Sequence, residues 1–105
     1  MHVADGDETT IDTGRIYRSG DPVLIHVRHR GPRYDLSDEG AGVDRAGKRP
    51  GWYEVAQRVV ADDGFNINRR GTVFVPAVEG RDLDDLCTRL GESSRRVYLA
   101  VLELG

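Results

Sequence analysis

The sequence feature that most constrains the fold is the stretch of residues 22–40, PVLIHVRHRGPRYDLSDEG. Apolar and polar side chains alternate along its first nine residues, which is the period of a strand with one buried face. Gly31-Pro32 is a turn signal, and the alternation then resumes with Tyr34 and Leu36 on the inward side. The stretch therefore predicts two antiparallel strands, and the rest of the chain must cover their apolar face.

A shorter strand candidate, residues 15–17, precedes this stretch, and a Ser-Gly-Asp turn separates the two. The three segments together predict an antiparallel meander with one face buried and one face in water. On the middle strand, the residues predicted to face the core are Val23, Ile25, Val27 and His29, and those predicted to face water are Leu24, His26, Arg28 and Arg30.

The remainder of the chain predicts three helices and a second hairpin. Residues 52–61 carry apolar side chains at helical spacing, and residues 65–76 read as a hairpin around Asn-Arg-Arg-Gly. Residues 82–104 predict two closing helices, the first capped by Asp82 and ended by Gly91. The expected fold class is α+β, an antiparallel three-stranded meander plus a hairpin packed against three helices.

The length of 105 residues predicts one domain. We expect this domain to span residues 14–105 and a flexible acidic arm to occupy residues 1–13, because the arm lacks either hydrophobic period. Residues 41–51 contain three glycines and one proline, so they predict an exposed connection between the meander and the first helix.

Composition excludes several classes of protein. Cys87 is the only cysteine, so an intrachain disulfide and a cysteine-based zinc site are excluded and a reducing cytoplasm is the expected compartment. No run approaches the ~18 apolar residues of a membrane span, and the N-terminus is acidic where a signal peptide is basic. We expect no membrane contact. No phosphate-binding glycine loop is present, and we predict no cofactor.

An arginine-rich set of side chains is the candidate for binding nucleic acid, because phosphate contacts need positive charge clustered on one face. A hairpin tip that carries arginines after a helix also looks like the wing of a winged-helix protein. A sequence pI near 5.5 and only one basic residue, Arg58, in the preceding helix weigh against this function. The candidate residues are Arg28, Arg30, Arg33, Arg69 and Arg70.

An acidic corner is the candidate for catalysis. Asp35, Asp38 and Glu39 lie close in sequence, and strand pairing brings His26 near them. Carboxylates with an imidazole can hold a divalent metal or transfer protons. Alternation places His26 and His29 on opposite faces, however, and Asp38 and Glu39 also suit an ordinary turn at a helix start. We therefore predict no metal site and assign no catalytic residue.

One phrase resembles a known family. YDLSDEG at residues 34–40, preceded by the strand VLIHVRHR, is similar to the LsDdG signature of a prokaryotic family catalogued as domain of unknown function 1828. The resemblance covers residues 12–104, although the connection at residues 44–51 departs from the compact helix that the family implies. It implies an α+β domain from a phage- or defence-related setting, and it brings no established activity, substrate or catalytic residue.

Three functions follow, in order of preference. We expect a small non-enzymatic binding or regulatory module with a protein partner, which requires an exposed apolar patch. The alternative is a nucleic-acid-binding module that uses the arginine-rich strand and the hairpin tip, which requires a continuous positive face. The third is a metal-assisted hydrolase at the corner of Asp35, Asp38 and His26, which requires His26 and a carboxylate in one cleft.

Overall fold

The computed structural model describes residues 8–104. Within them, five strands form one antiparallel sheet in the order β1-β2-β3-β5-β4. The strands are β1 (Glu8–Ile16), β2 (Pro22–Arg30), β3 (Arg33–Ser37), β4 (Asn66–Ile67) and β5 (Val73–Val78), and the helices are α1 (Ala41–Ala46), α2 (Trp52–Asp63) and α3 (Leu83–Leu102). The predicted α+β class is confirmed, and β1–β3 form the predicted meander, but the three helices are not the three predicted.

The helices cover one face of the sheet. α3 lies against β1, β2, β3 and β5, and α1 and α2 pack against α3. None of the helices within residues 8–104 combines enough length with enough apolar character to cross a bilayer. The opposite face of the sheet has no helix on it in this part of the chain, and we call it the open face.

The alternation on β2 places the predicted residues in the core. Val23, Ile25 and Val27 have no exposed surface, and Val27 lies opposite the buried Leu36 of β3. His29, which the sequence also places on the inward face, is half-buried and stacks on Tyr34 with 4.6 Å between the ring centroids. Burying only every second side chain fixes the register, because a slip by one residue would expose the whole apolar set.

β1 is longer than the sequence indicated. Residues 8–13 were assigned to a flexible arm, and the structure corrects this, because they continue β1 and pair with β2. Thr9 and Ile11 lie opposite Val27 and Ile25, so they face inward, and Ile11 packs against the core. The sequence does not show this alternation, because the inward residues Thr9 and Thr13 are themselves polar. Residues 1–7 of the predicted arm lie outside the described part of the chain.

α3 is one continuous helix, so the predicted pair of closing helices is wrong. Gly91 lies inside it, where a Cβ atom would come within 2.6 Å of Cγ2 of Thr13 on β1. The glycine therefore permits a close approach between helix and strand and does not end the helix. Asp82 is at the N-cap position of α3, as predicted, but its side chain makes no capping hydrogen bond, and it also ends a short 3₁₀ turn, Gly80–Asp82.

α1 replaces part of the predicted exposed connection. Gly42 is buried where α1 meets α3, and a Cβ atom there would lie 2.6 Å from the carbonyl oxygen of Ser94. Val43 and Ala46 enter the core beside it. Packing against α3 thus outweighs the weak helix propensity of a glycine-rich segment, and the connection prediction is wrong for Ala41–Ala46.

Candidate binding surfaces

Asp38, which we had grouped with the acidic corner, lies in the core and has no exposed surface. Its carboxylate accepts hydrogen bonds from the backbone N–H groups of Gly40 (2.8 Å) and Val73 (2.9 Å) and from Oγ of Ser94 (2.6 Å). The hydroxyl of Tyr17 lies 2.9 Å from the same Ser94 oxygen. Burial raises the pKa of Asp38, and the hydrogen bonds oppose this effect. Asp38 is therefore a buried crosslink.

The open face carries a groove of about 290 Å³ that crosses four strands; we call it the sheet groove. His26 and Asp35 both line it, so the structure brings together two of the three residues proposed for a hydrolase. Asp38 is not part of the lining. The side chains that shape the groove are Glu8, His26, Arg28, Asp35, Ser37, Glu39, Phe74 and Pro76.

The groove carboxylate Asp35 is committed to other partners. Arg30 binds it through Nε at 2.7 Å and Nη2 at 3.1 Å, and the N–H of Ala77 donates to it at 3.0 Å. The hydrogen bond from Arg30 lowers the pKa of Asp35, so Asp35 is a weak base. Within residues 8–104 no group of three or more metal-ligating side chains is placed to hold an ion. His26 and Asp35 share one cleft, as this function requires, but Asp38 lies in the core and Asp35 is bound to Arg30.

The arginines proposed for nucleic acid lie at two ends of the sheet. Tyr34 pairs with Val78 and Ser37 with Phe74, so the β2–β3 turn and the β4–β5 turn are at opposite ends of β3. Most of the guanidinium groups are also engaged. The pairs are Arg30 with Asp35 (2.7 Å), Arg33 with Glu79 (3.6 Å) and Arg69 over the ring of Tyr53 (4.1 Å), whereas Arg28 and Arg70 have no such partner within residues 8–104.

β1 is an outer strand of nine residues, and within residues 8–104 no strand pairs with its second edge. It contains neither proline nor lysine, and the irregularity that can protect such an edge is confined to its second half. Glu8, Thr10 and Asp12 face the open side, since their Cα partners on β2 face that side. The register shifts between Asp12 and Ile16, and Gly14 there has φ +79°.

Ile16, at the end of β1, is 58% exposed, the highest value among the large hydrophobic side chains of residues 8–104. It borders a shallow hollow of about 320 Å³ with Arg18, Arg95 and Leu99. Nε of Arg95 donates to the carbonyl oxygen of Ile16 at 3.0 Å, which fixes the strand end against α3. The sequence does not indicate this surface, because the alternation in residues 15–17 is too short to show on which face Ile16 lies.

The comparisons with known proteins add no relative. The geometry of the sheet groove and of the β1 edge is therefore the basis for any functional proposal. The resemblance to the domain of unknown function 1828 family stays a prediction. No protein-family model, no curated protein and no solved structure matches this chain.

Proposed function

We propose that this domain is a non-enzymatic binding module that accepts an extended segment of a protein partner along the free edge of β1. The observation that carries the proposal is the regular part of this outer strand, residues 8–12, which has no second partner strand within residues 8–104. Beyond Asp12 the backbone groups of Gly14, Arg15 and Ile16 already have hydrogen-bond partners. A free edge presents a row of N–H and C=O groups, and a partner strand can pair with them. Main-chain hydrogen bonds then supply affinity, and side chains on each face supply specificity.

The side chains of β1 define the chemistry of the partner. Glu8 and Asp12 are both acidic and lie on the open side with Thr10 between them. Cross-strand pairs of opposite charge are favourable, so the partner segment carries basic residues at alternate positions. An apolar residue at its end would cover Ile16.

Pairing of β1 with a second copy of itself depends on the register. Antiparallel pairing about Thr10 sets Glu8 opposite Asp12 at both ends, and like charges directly opposite each other are destabilising. Pairing about Ile11 opposes no like charges, so a concentration-dependent dimer of the free protein would assign the edge to self-association.

The other two functions receive less support. Nucleic-acid binding through the arginines stays a prediction, but Arg30, Arg33 and Arg69 already have partners and the set spans two ends of the sheet. A hydrolase at the acidic corner would have to act without Asp38, which is buried in the core. Absence of a mobility shift with single-stranded or duplex DNA and RNA at low salt would remove the nucleic-acid alternative.

The test uses a labelled nine-residue peptide with lysine and valine at alternate positions. We expect saturable binding by fluorescence anisotropy, and slower hydrogen exchange at the β1 amides of the complex. The variant Glu8→Lys/Asp12→Lys should weaken binding about tenfold or more, because two favourable cross-strand pairs become repulsive.

The matched control is Glu54→Lys/Glu103→Lys, which changes the net charge equally at exposed sites on and beside helices. It should change the affinity less than about twofold. Equal losses in both double variants, or binding without protection of the β1 amides, would show non-specific charge attraction and refute strand addition.

A further inference from the structure

A separate pocket of about 240 Å³ lies between the end of α2 and the middle of α3. We call it the interhelix pocket. It shares no lining residue with the sheet groove or with β1, and neither the strand-addition proposal nor the acidic corner uses it. Its main lining residues are Asp63, Phe65, Arg89, Glu92, Ser93 and Arg96.

Two oxygens in this pocket have no donor. Ser93 is only 1% exposed, and its Oγ has no hydrogen-bond partner within residues 8–104. Oδ1 of Asp63 is bound by Arg96, but the buried Oδ2 has no partner there. Buried polar atoms are nearly always hydrogen-bonded in folded proteins. Two unsatisfied oxygens in one pocket therefore indicate a missing donor.

The two carboxylates at the end of α2 favour a cationic donor. Asp62 and Asp63 are adjacent in the lining, whereas the charge of Glu92 is offset by Arg15 at 3.3 Å and Arg95 at 3.8 Å. The C-terminal end of α2 adds partial negative charge, and no basic residue lies in its last turn to offset it.

Glu92 is the third carboxylate group at the pocket. Its Oε2 lies 3.3 Å from Nε of Arg15 without forming a hydrogen bond, so this oxygen can also accept. Phe65 supplies the apolar part of the lining, against which methylene groups can pack. An ammonium group offers three donors and no acceptor, which matches the set of unsatisfied oxygens.

We infer that the interhelix pocket binds a primary ammonium group at the end of an aliphatic chain, with donation to Ser93 Oγ and Asp63 Oδ2 and the methylenes against Phe65. Arg89 and Arg96 form the outer rim, with side chains 55% and 46% exposed. The guanidinium of Arg89 lies over the ring of Phe65 at 5.7 Å, so Arg89 swings outward on binding. Its 3.7 Å ion pair with Asp85 is a weak surface contact and does not prevent this movement. The ammonium can belong to a free alkyl diamine or to a lysine side chain.

The experiment titrates ¹⁵N-labelled protein with 1,5-diaminopentane and, separately, with Nα-acetyl-lysine methylamide. We expect saturable shifts of the Asp63 and Ser93 amides, and the ligand with the lower Kd identifies the source of the ammonium. The Nε-trimethyl form of the lysine compound is the matched ligand, because it keeps the positive charge but has no N–H on the ammonium nitrogen. It should bind about tenfold more weakly or worse.

Variants separate binding from folding. Ser93→Ala should reduce affinity about tenfold without lowering the thermal midpoint, because the hydroxyl that it removes is unpaired in the free protein. Ser19→Ala, in an exposed turn, is the control and should leave affinity unchanged. Three results would each overturn the proposal: shifts that do not saturate with either amine, equal affinity for the trimethyl form, or undiminished binding by Ser93→Ala. Water would then be the donor to Ser93 Oγ and Asp63 Oδ2.

Discussion

The carboxylate of Asp38 joins the end of β3 to β5, to the start of α1 and to α3 through donors from Val73, Gly40 and Ser94. Removing it leaves these buried donors unpaired. We expect Asp38→Ala to lower the free energy of unfolding by about 3 kcal/mol, measured by urea denaturation. Glu103→Ala, at an exposed site, should change it by less than about 0.5 kcal/mol. A loss as small as that of the control would contradict the crosslink.

The stability that depends on Asp38 should vary with pH. Its folded pKa is raised by burial, so the folded chain binds this proton more tightly than the unfolded chain does. The contribution of this proton to the free energy of unfolding is therefore complete below the unfolded pKa of about 3.9. It is lost as pH rises through the folded pKa.

We expect the stability of the wild type relative to Asp38→Asn to decrease as pH rises over this range. Urea unfolding of both proteins at a series of pH values measures the difference, and the subtraction removes the titration of all other carboxyl groups. A difference that increases with pH would mean that the hydrogen bonds to the carboxylate outweigh its burial.

Ala77 has φ +58°, a backbone conformation that non-glycine residues rarely adopt. Its N–H donates to Asp35, which holds the backbone there. We expect Ala77→Gly to raise the free energy of unfolding by about 0.5–1 kcal/mol, because the strain relieved exceeds the entropy cost of glycine. Ala46→Gly, at the end of α1, is the control and should lower it by about 1 kcal/mol, because glycine disfavours the helix and removes a buried methyl group. If thermal denaturation shows a lower midpoint for both variants, the backbone at Ala77 is not strained.

At the scale of elements, the contact between α3 and β1 depends on Gly91. A Cβ atom at this position would clash with Cγ2 of Thr13, so we expect Gly91→Ala to lower the free energy of unfolding by about 1–2 kcal/mol, although alanine favours helix. Adding Thr13→Ser should recover part of the loss, since serine lacks Cγ2 and keeps a hydroxyl for the carbonyl of Val23. If the effects of Gly91→Ala and Thr13→Ser on the free energy of unfolding are strictly additive in urea denaturation, the two residues are not in direct contact.

The elements that could be predicted are those whose pattern is local. Residues 22–37 alternate cleanly because one face is buried, and residues 52–61 repeat at helical spacing. α1 and the unbroken α3 could not be predicted, because the roles of Gly42 and Gly91 depend on Ser94 and Thr13, which are distant in sequence.

The candidate sites were predictable only in part. Strand pairing placed His26 and Asp35 in one groove, as expected. The burial of Asp38 could not be foreseen, because Ser-Asp-Glu-Gly resembles a surface turn and its partners Val73 and Ser94 lie far along the chain. The free edge of β1 was not predicted for a different reason. Thr9 and Thr13 on its inward face are polar, so apolar and polar residues do not alternate in this part of the sequence.

At the scale of the whole molecule, a single core joins the elements, because α3 contacts four strands and both other helices. We therefore expect one cooperative unfolding transition. The fluorescence of Trp52, the only tryptophan, and the far-UV circular dichroism should give the same midpoint in urea. Leu90→Ala, at a fully buried site, should lower the free energy of unfolding by about 3 kcal/mol and shift both signals together. Different urea midpoints for fluorescence and circular dichroism would show that parts of the fold unfold independently.

The position of α3 in chain order has a consequence during synthesis. The ribosome makes all five strands before it makes the helix that covers them. At about 5–20 residues per second, the 20 residues of α3 take about one to four seconds to add. Any sheet that the earlier strands form before α3 is available presents bare valine and isoleucine side chains to other polypeptides. Slow codons across residues 83–102 would prolong this exposure, and a chaperone that holds nascent chains would shield it.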